Sequence, residues 1–397
     1  MNIEKAPLVF PRAEYARRLE LVKSEMRRRD IETLFVCSSA NIIYLTGYTG
    51  RSSYVPQGLV ISLNEDQPTF IMRSQDAVAG YHQTFLDKDR VIGYPESLIG
   101  HGDKDGYDAV IEFIAERGLD KNGIGLETLT LSMQGRTYAA MPTVAKFKSR
   151  LPNARLVDFS KAIDWLRLVK SDAEIAIMRE AAAISDAAIA RAAEVIKPGV
   201  READAVAEIV GTLIRGANGK AGTFLAPVYF VSSPRTGTSH IPWSDDSLRA
   251  GSQVNLECGG MRHAYAAAIM RTFSIGKPSD GLRQMHEAEI AGHAAALKAA
   301  RPGATCGDVA AAFRNEMKRH GLDKDSRCGY PIGIEWLEPT ASLKVGDETE
   351  LKENMTFHLM LGNWVDDHFG YVLSDTIRVT DNGAETLTSA PRIIYEV

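Results

Sequence analysis

The pattern of apolar and polar positions divides the chain into two regimes. Tyr15, Leu19, Leu21, Val22 and Met26 recur near helical spacing and predict an amphipathic helix over residues 12–30. "TLFVCSS" reads as a buried strand, and "SANIIYLTGYTG" as a helix or turn ending at glycine. "GLVISLNEDQPTFIM" predicts a hairpin turned by Asn64 and Asp66. "DAVIEFIAERGLDKNGIGLE" predicts a helix, a turn and a strand, and "LPNARLVDFS" a further short strand. Strands alternating with helices imply a small α/β domain over residues 1–160.

The second regime, residues 161–397, opens with a long alanine-rich helix. Ser171 is its expected N-cap, Glu174 sits at the capping-box position, and Lys197 precedes the Pro-Gly stop. "AIARAAEVIKPGVREADAVAEIVGTLIRGANG" is then echoed by "GHAAALKAARPGATCGDVAAAFRNEMKRHG". Each has an alanine-rich helix, a Pro-Gly (Pro198-Gly199, Pro302-Gly303), a helix starting near Asp204 or Asp308, and then strand-like sequence. Two copies are too few for a solenoid. They predict a pseudo-symmetric α+β domain, with helices on one face of a curved antiparallel sheet and a site on the other.

Composition narrows the function classes. Apolar residues are 45% and charged residues 24%, as in ordinary globular chains. The net charge is -5, and the densest basic run, "EMRRRDIE", alternates with acids at helical spacing. Nucleic-acid binding and an anionic-membrane surface are therefore not expected. No apolar run reaches a membrane span, and the N-terminus lacks a secretory pattern. The four cysteines form no C-x-x-C pair, which favours reduced thiols, a cytoplasmic location and no structural zinc.

Candidate chemistry gathers in the strands of the second half. His240, Glu257, Tyr330, Glu335, His358 and Trp364 are the polar and aromatic residues that stand out there. A lone histidine is more often structural than catalytic. Glu257 differs, since Val254, Leu256 and Cys258 surround it while Asn255, Glu257 and Gly259 share one strand face. A carboxylate on a buried face needs a partner or its pKa rises. The alternative is that it faces solvent, or pairs with Arg262 or Arg271. Cys258, pointing the other way, reads as a small buried thiol.

These residues resemble the creatinase/prolidase/methionine-aminopeptidase family and its pita-bread catalytic domain. The likeness runs through "WLRLVKSDAEIAIMREAAAI", His240, "LRAGSQVNLECGG", "YAAAIMRTFSIG", "GYPIG", "ENMTFHLMLG" and "GYVLSDTIRVT" in the family's order. Metal-dependent members hold two ions with two aspartates, a histidine and two glutamates. At those positions this chain has Glu257, Ala268, Tyr330, Met360 and Ser374. One carboxylate cannot hold two ions, so no metal and no other cofactor are expected. His240 matches the family's substrate-contacting histidine. "TGYTGRSSYVPQ", "RSQDAVAG", "VIGYPES" and "SLKVGDETELKENMTFHLMLGNW" resemble the metal-free ectoine-hydrolase branch.

The resemblance implies opening of the cyclic amidine of ectoine or a close analogue. Glu257 would act as nucleophile or general base and His240 as proton shuttle. Tyr54, Tyr330 and Arg271 are the candidate donors for a substrate carboxylate. Glu335, His358 and Trp364 are further candidate contacts, and Trp336 and Trp364 candidate walls for a cationic ring. A homodimer is implied, with Tyr54 acting across it. A creatinase-type reaction on a linear guanidino acid, and a non-catalytic binding role, are the rival expectations.

Overall fold

The computed structural model describes residues 3–50, 52, 55–100, 103–128, 141–365 and 369–397. It forms two compact units, 1–167 and 168–397. The first unit carries a mixed sheet ordered β4-β3-β2-β1-β5-β6. Its strands are β1 (Thr33–Val36), β2 (Gly58–Ser62), β3 (Thr69–Arg73), β4 (Val91–Tyr94), β5 (Gly123–Leu126) and β6 (Arg155–Asp158). Its helices are α1 (Arg12–Arg28), α2 (Ser39–Thr46), α3 (Ser74–Gln83), α4 (Gly106–Glu116), α5 (Met141–Arg150) and α6 (Ala162–Arg167). The expected hairpin is β2–β3, paired antiparallel with Leu59 opposite Phe70. Helix α6 stays with this unit, because Arg167 Nη1 donates to Asn41 Oδ1 at 2.7 Å and binds Asp164. The division therefore falls seven residues beyond the boundary at 160 drawn from the pattern.

The second unit comprises α7 (Asp172–Val195), α8 (Glu202–Arg215), β7 (Tyr229–Ser232), β8 (Gln253–Arg262), β9 (Tyr265–Ser274), α9 (Asp280–Ala299) and α10 (Cys306–Arg319). It ends with β10 (Gly329–Gly333), β11 (Trp336–Leu337), β12 (Thr356–Val365), β13 (Phe369–Thr380), β14 (Gly383–Thr386) and β15 (Tyr395–Glu396). The main sheet runs β11-β10-β12-β13-β9-β8-β7. Helix α7 starts as its sequence dictates: Ser171 accepts from Glu174 N, and the Glu174 side chain accepts from the Ser171 backbone.

Each half of the sheet has its own helix pair. Leu256, Cys258, Ile269 and Phe273 pack under α7 and α8. Phe357, Leu359, Ile377 and Val379 pack under α9 and α10. The alanines of α7 allow a close approach: a Cβ on Gly260 would sit 2.3 Å from the Ala181 carbonyl oxygen. Helices thus cover one face, and alternation sends every second strand residue to the other. The β8–β9 turn is His263-Ala264, both at positive φ (49° and 67°), the geometry of a tight two-residue hairpin.

Candidate active site

The face away from the helices is built by register. Glu257 on β8 lies opposite Tyr229 on β7 and Met270 on β9. Met270 lies opposite Ser374, and Ser374 opposite Met360. Ala268 stands opposite Gly259, and Tyr330 opposite His358. Period-2 alternation then puts Glu257, Ala268, Tyr330, Met360 and Ser374 on one face, where the resemblance placed five metal ligands.

A small cleft of about 20 Å³ opens here, and Glu257 and His240 both line it. Tyr229, Met270, Val372 and Trp364 supply its apolar and aromatic walls. Glu257 is 8% exposed, and among the described residues its carboxylate has no hydrogen-bond or ion-pair partner. Burial alone pushes its pKa up to about 7. His240 is exposed, at φ +58°, in T-shaped contact with the Tyr229 ring at 4.8 Å. Trp364 Nε1 is buried and has no acceptor among the described residues.

On the same face, Tyr330 and Ser374 of the ligand positions above are joined through His358 by hydrogen bonds. Trp336 Nε1 donates to Tyr330 Oη at 3.0 Å. His358 Nδ1 lies 2.9 Å from Tyr330 Oη, and Nε2 lies 2.6 Å from Ser374 Oγ. Burial drops the His358 pKa to about 3, so its ring is neutral and carries one proton. With that proton on Nδ1, Tyr330 Oη accepts twice and its own proton is free for a third acceptor. With it on Nε2, the Tyr330 proton is taken by Nδ1. Burial, and then the nearby Glu257 charge, raise the Tyr330 pKa. The Trp336 ring packs on Gly259, where a Cβ would approach to 2.4 Å.

This donor set does not fit a two-metal centre. One carboxylate, an alanine methyl, a thioether and two hydroxyls already engaged with His358 cannot replace two aspartates, a histidine and two glutamates. Among the described residues no group of three or more His, Cys, Asp or Glu side chains could hold an ion.

Of the residues expected from sequence, Glu257, His240 and Trp364 meet in the cleft, with Tyr330 and His358 on the same sheet face. Glu335 does not join them. It is buried in the β10–β11 turn at φ +63°, where its backbone N–H donates to Ala264 O at 2.8 Å. Tyr54 lies outside the described residues. Arg271 is a correction. It pairs with Leu256 and so points to the helix side, where its N–H groups reach Pro391 O, Met270 O, Ser374 O, Asp375 Oδ1 and Ala390 O. No donor is left for a substrate. Arg271→Met is expected to destabilise the protein by about 3 kcal/mol or more. Denaturant unfolding checks this, with KM of the folded fraction unchanged.

Tyr229 and Met270 were not foreseen as cleft residues. Their signal was strand pairing, which puts both opposite Glu257.

Comparison with known proteins places these features in a lineage. Residues 176–381 match the metallopeptidase family M24, and residues 18–169 match the creatinase/prolidase N-terminal domain. The chain is 60% identical to the uncharacterized hydrolase/peptidase y4tL of Sinorhizobium fredii, over 99% of both chains. It is 33% identical to the ectoine hydrolase of Halomonas elongata, over 98% of both. The X-Pro aminopeptidase of Thermotoga maritima shares the fold, with TM-score 0.80 at 21% identity over 96% of this chain and 99% of that one. The chain thus belongs to the metallopeptidase family M24, with a creatinase/prolidase N-terminal domain and the pita-bread catalytic fold.

Proposed function

We propose that this M24 hydrolase opens the cyclic amidine ring of ectoine, or a close analogue, without a metal ion. The observation that carries the reading is the buried Glu257 carboxylate, without a partner among the described residues, in an aromatic-walled cleft at a position where the family places a metal ligand. A cationic amidinium supplies the counter-charge that the buried carboxylate lacks. The 33% identity to an ectoine hydrolase along nearly the whole chain supports the choice of ring.

In this mechanism a Glu257 oxygen bonds to the amidine carbon, and the adduct expels one ring nitrogen, which leaves as the amine after taking a proton. Water then attacks the same carbon, the bond to Glu257 breaks, and an N-acetylated diaminobutyrate results. His240 gives the proton to the departing nitrogen and takes one from the water. Direct activation of water by Glu257 gives the same product.

The test is a panel of ectoine, hydroxyectoine, creatine and a Xaa-Pro dipeptide, with products separated by chromatography. Ring opening of ectoine that persists after chelator treatment is expected. Activity that vanished with chelator and returned with manganese or zinc would overturn the metal-free mechanism. Turnover of creatine alone would move the assignment to a linear guanidino acid, and binding without turnover would favour a non-catalytic role.

A further inference from the structure

Arg271 was the expected anchor for a substrate carboxylate, and its donors are all used behind the sheet. Neighbouring cations are also engaged: Arg235 pairs with Glu202, Arg392 with Asp375, and Lys324 with the Gly362 carbonyl. Arg327, just ahead of β10, is different. Its guanidinium carbon lies 4.5 Å from the centroid of the Tyr330 ring. It is half-buried, and among the described residues it has no carboxylate or carbonyl partner.

The stacking matters for recognition. A guanidinium laid on an aromatic face keeps its in-plane N–H edge free, and that edge matches a carboxylate with two parallel bonds. Stacking also fixes the side chain in advance, so less freedom is lost on binding. Tyr330 in turn feels the charges of both Glu257 and Arg327. The Tyr330 side chain therefore has an anionic group and a cationic group within electrostatic reach.

We propose that Arg327 is the carboxylate anchor of this site, stacked on Tyr330 to hold the anionic end of a compact zwitterion whose cationic carbon meets Glu257. The proposal rests on the ring-opening reading above and adds to it a requirement for a substrate carboxylate. The substrate class narrows to small cyclic amidinium carboxylates.

The experiment measures calorimetric binding and turnover separately. Its probes are ectoine and 2-methyl-1,4,5,6-tetrahydropyrimidine, the same ring without its carboxylate. Wild type is expected to bind ectoine about tenfold or more tighter than the bare ring, the scale of charge-assisted hydrogen bonds. Arg327→Met should erase that preference while leaving affinity for the bare ring unchanged, and Arg327→Lys should restore part of it. Arg327→Gln, judged by the same ratio, serves if the methionine variant does not fold. A preference that survives in the Met and Gln variants, or is absent from wild type, overturns the anchor. An Arg327-dependent preference without turnover supports the anchor and overturns the hydrolase reading. Turnover of ectoine with no such dependence does the reverse.

Discussion

Glu257→Gln is expected to lower kcat for ectoine by about 10³-fold or more while the protein stays folded. The amide keeps the size and most of the shape of the side chain, but it can neither attack the amidine carbon nor take a proton from water. Either role of Glu257 therefore predicts the same loss. Trapping distinguishes them: with the wild type, a rapidly quenched reaction should yield a chain heavier by the bound substrate fragment if the carboxylate is the nucleophile. Wild-type turnover by Glu257→Gln would end the proposal.

The same residue sets a pH dependence. Burial raises the folded-state pKa of Glu257 to about 7 from an ordinary 4.5. Between those values the unfolded chain has released the proton and the folded one has kept it, so stability falls as pH rises from about 4.5 to about 7. Above that window the free protein carries a burden of about 3 kcal/mol, which Glu257→Gln removes. The variant should thus melt higher than wild type at pH 8 and about equally at pH 4.5. For catalysis the carboxylate is the working form, so kcat/KM should rise with pH through about 7. A bound amidinium favours the charged carboxylate, so the corresponding limb in kcat should lie at lower pH.

Much of this was legible in the chain, and what was not has a physical cause. The long helix was readable because Ser171 and Glu174 encode its start locally, and the helix pairs because the Pro-Gly repeat marks them. Glu257 stood out because alternation in "VNLEC" sets it on the face opposite Val254, Leu256 and Cys258. Arg271 could have been excluded by the same parity. If Ala268 faces the site, Met270 and Thr272 do too, and Arg271, three residues on, cannot. The link from His358 to Ser374 and Tyr330 joins three strands, β12, β13 and β10, whose pairing no local pattern states. Arg327 carries no signal at all, since its meaning comes from the ring it lies on.

On the metal-free reading proposed above, the residues of the site also account for how the scaffold keeps this face intact without ions. Two metals would contribute positive charge that balances several carboxylates. Here only one carboxylate remains, and the vacated positions are filled by an alanine methyl, a methionine and hydroxyls tied to a neutral imidazole. The exchange keeps these five positions free of unmatched like charges, and among them it leaves Glu257 as the group able to attract a cation.

His240→Gly is expected to cost about 10²- to 10⁴-fold in kcat, the range lost when a proton-transferring group is removed. Glycine is the informative choice because His240 sits at φ +58°, a conformation that costs an ordinary residue about 1 kcal/mol and glycine almost nothing. Relief of that strain roughly offsets the greater freedom glycine gives the unfolded chain, so the melting temperature should change little. A drop in activity can then be assigned to chemistry rather than folding. The residue is exposed, so its removal leaves an accessible space beside Tyr229. Added imidazole should occupy that space and restore part of the lost turnover, with no effect on wild type. Rescue would identify proton transfer as the missing function, whereas a folded variant with undiminished turnover would remove His240 from the mechanism and leave the proton traffic to the Tyr330–His358 pair.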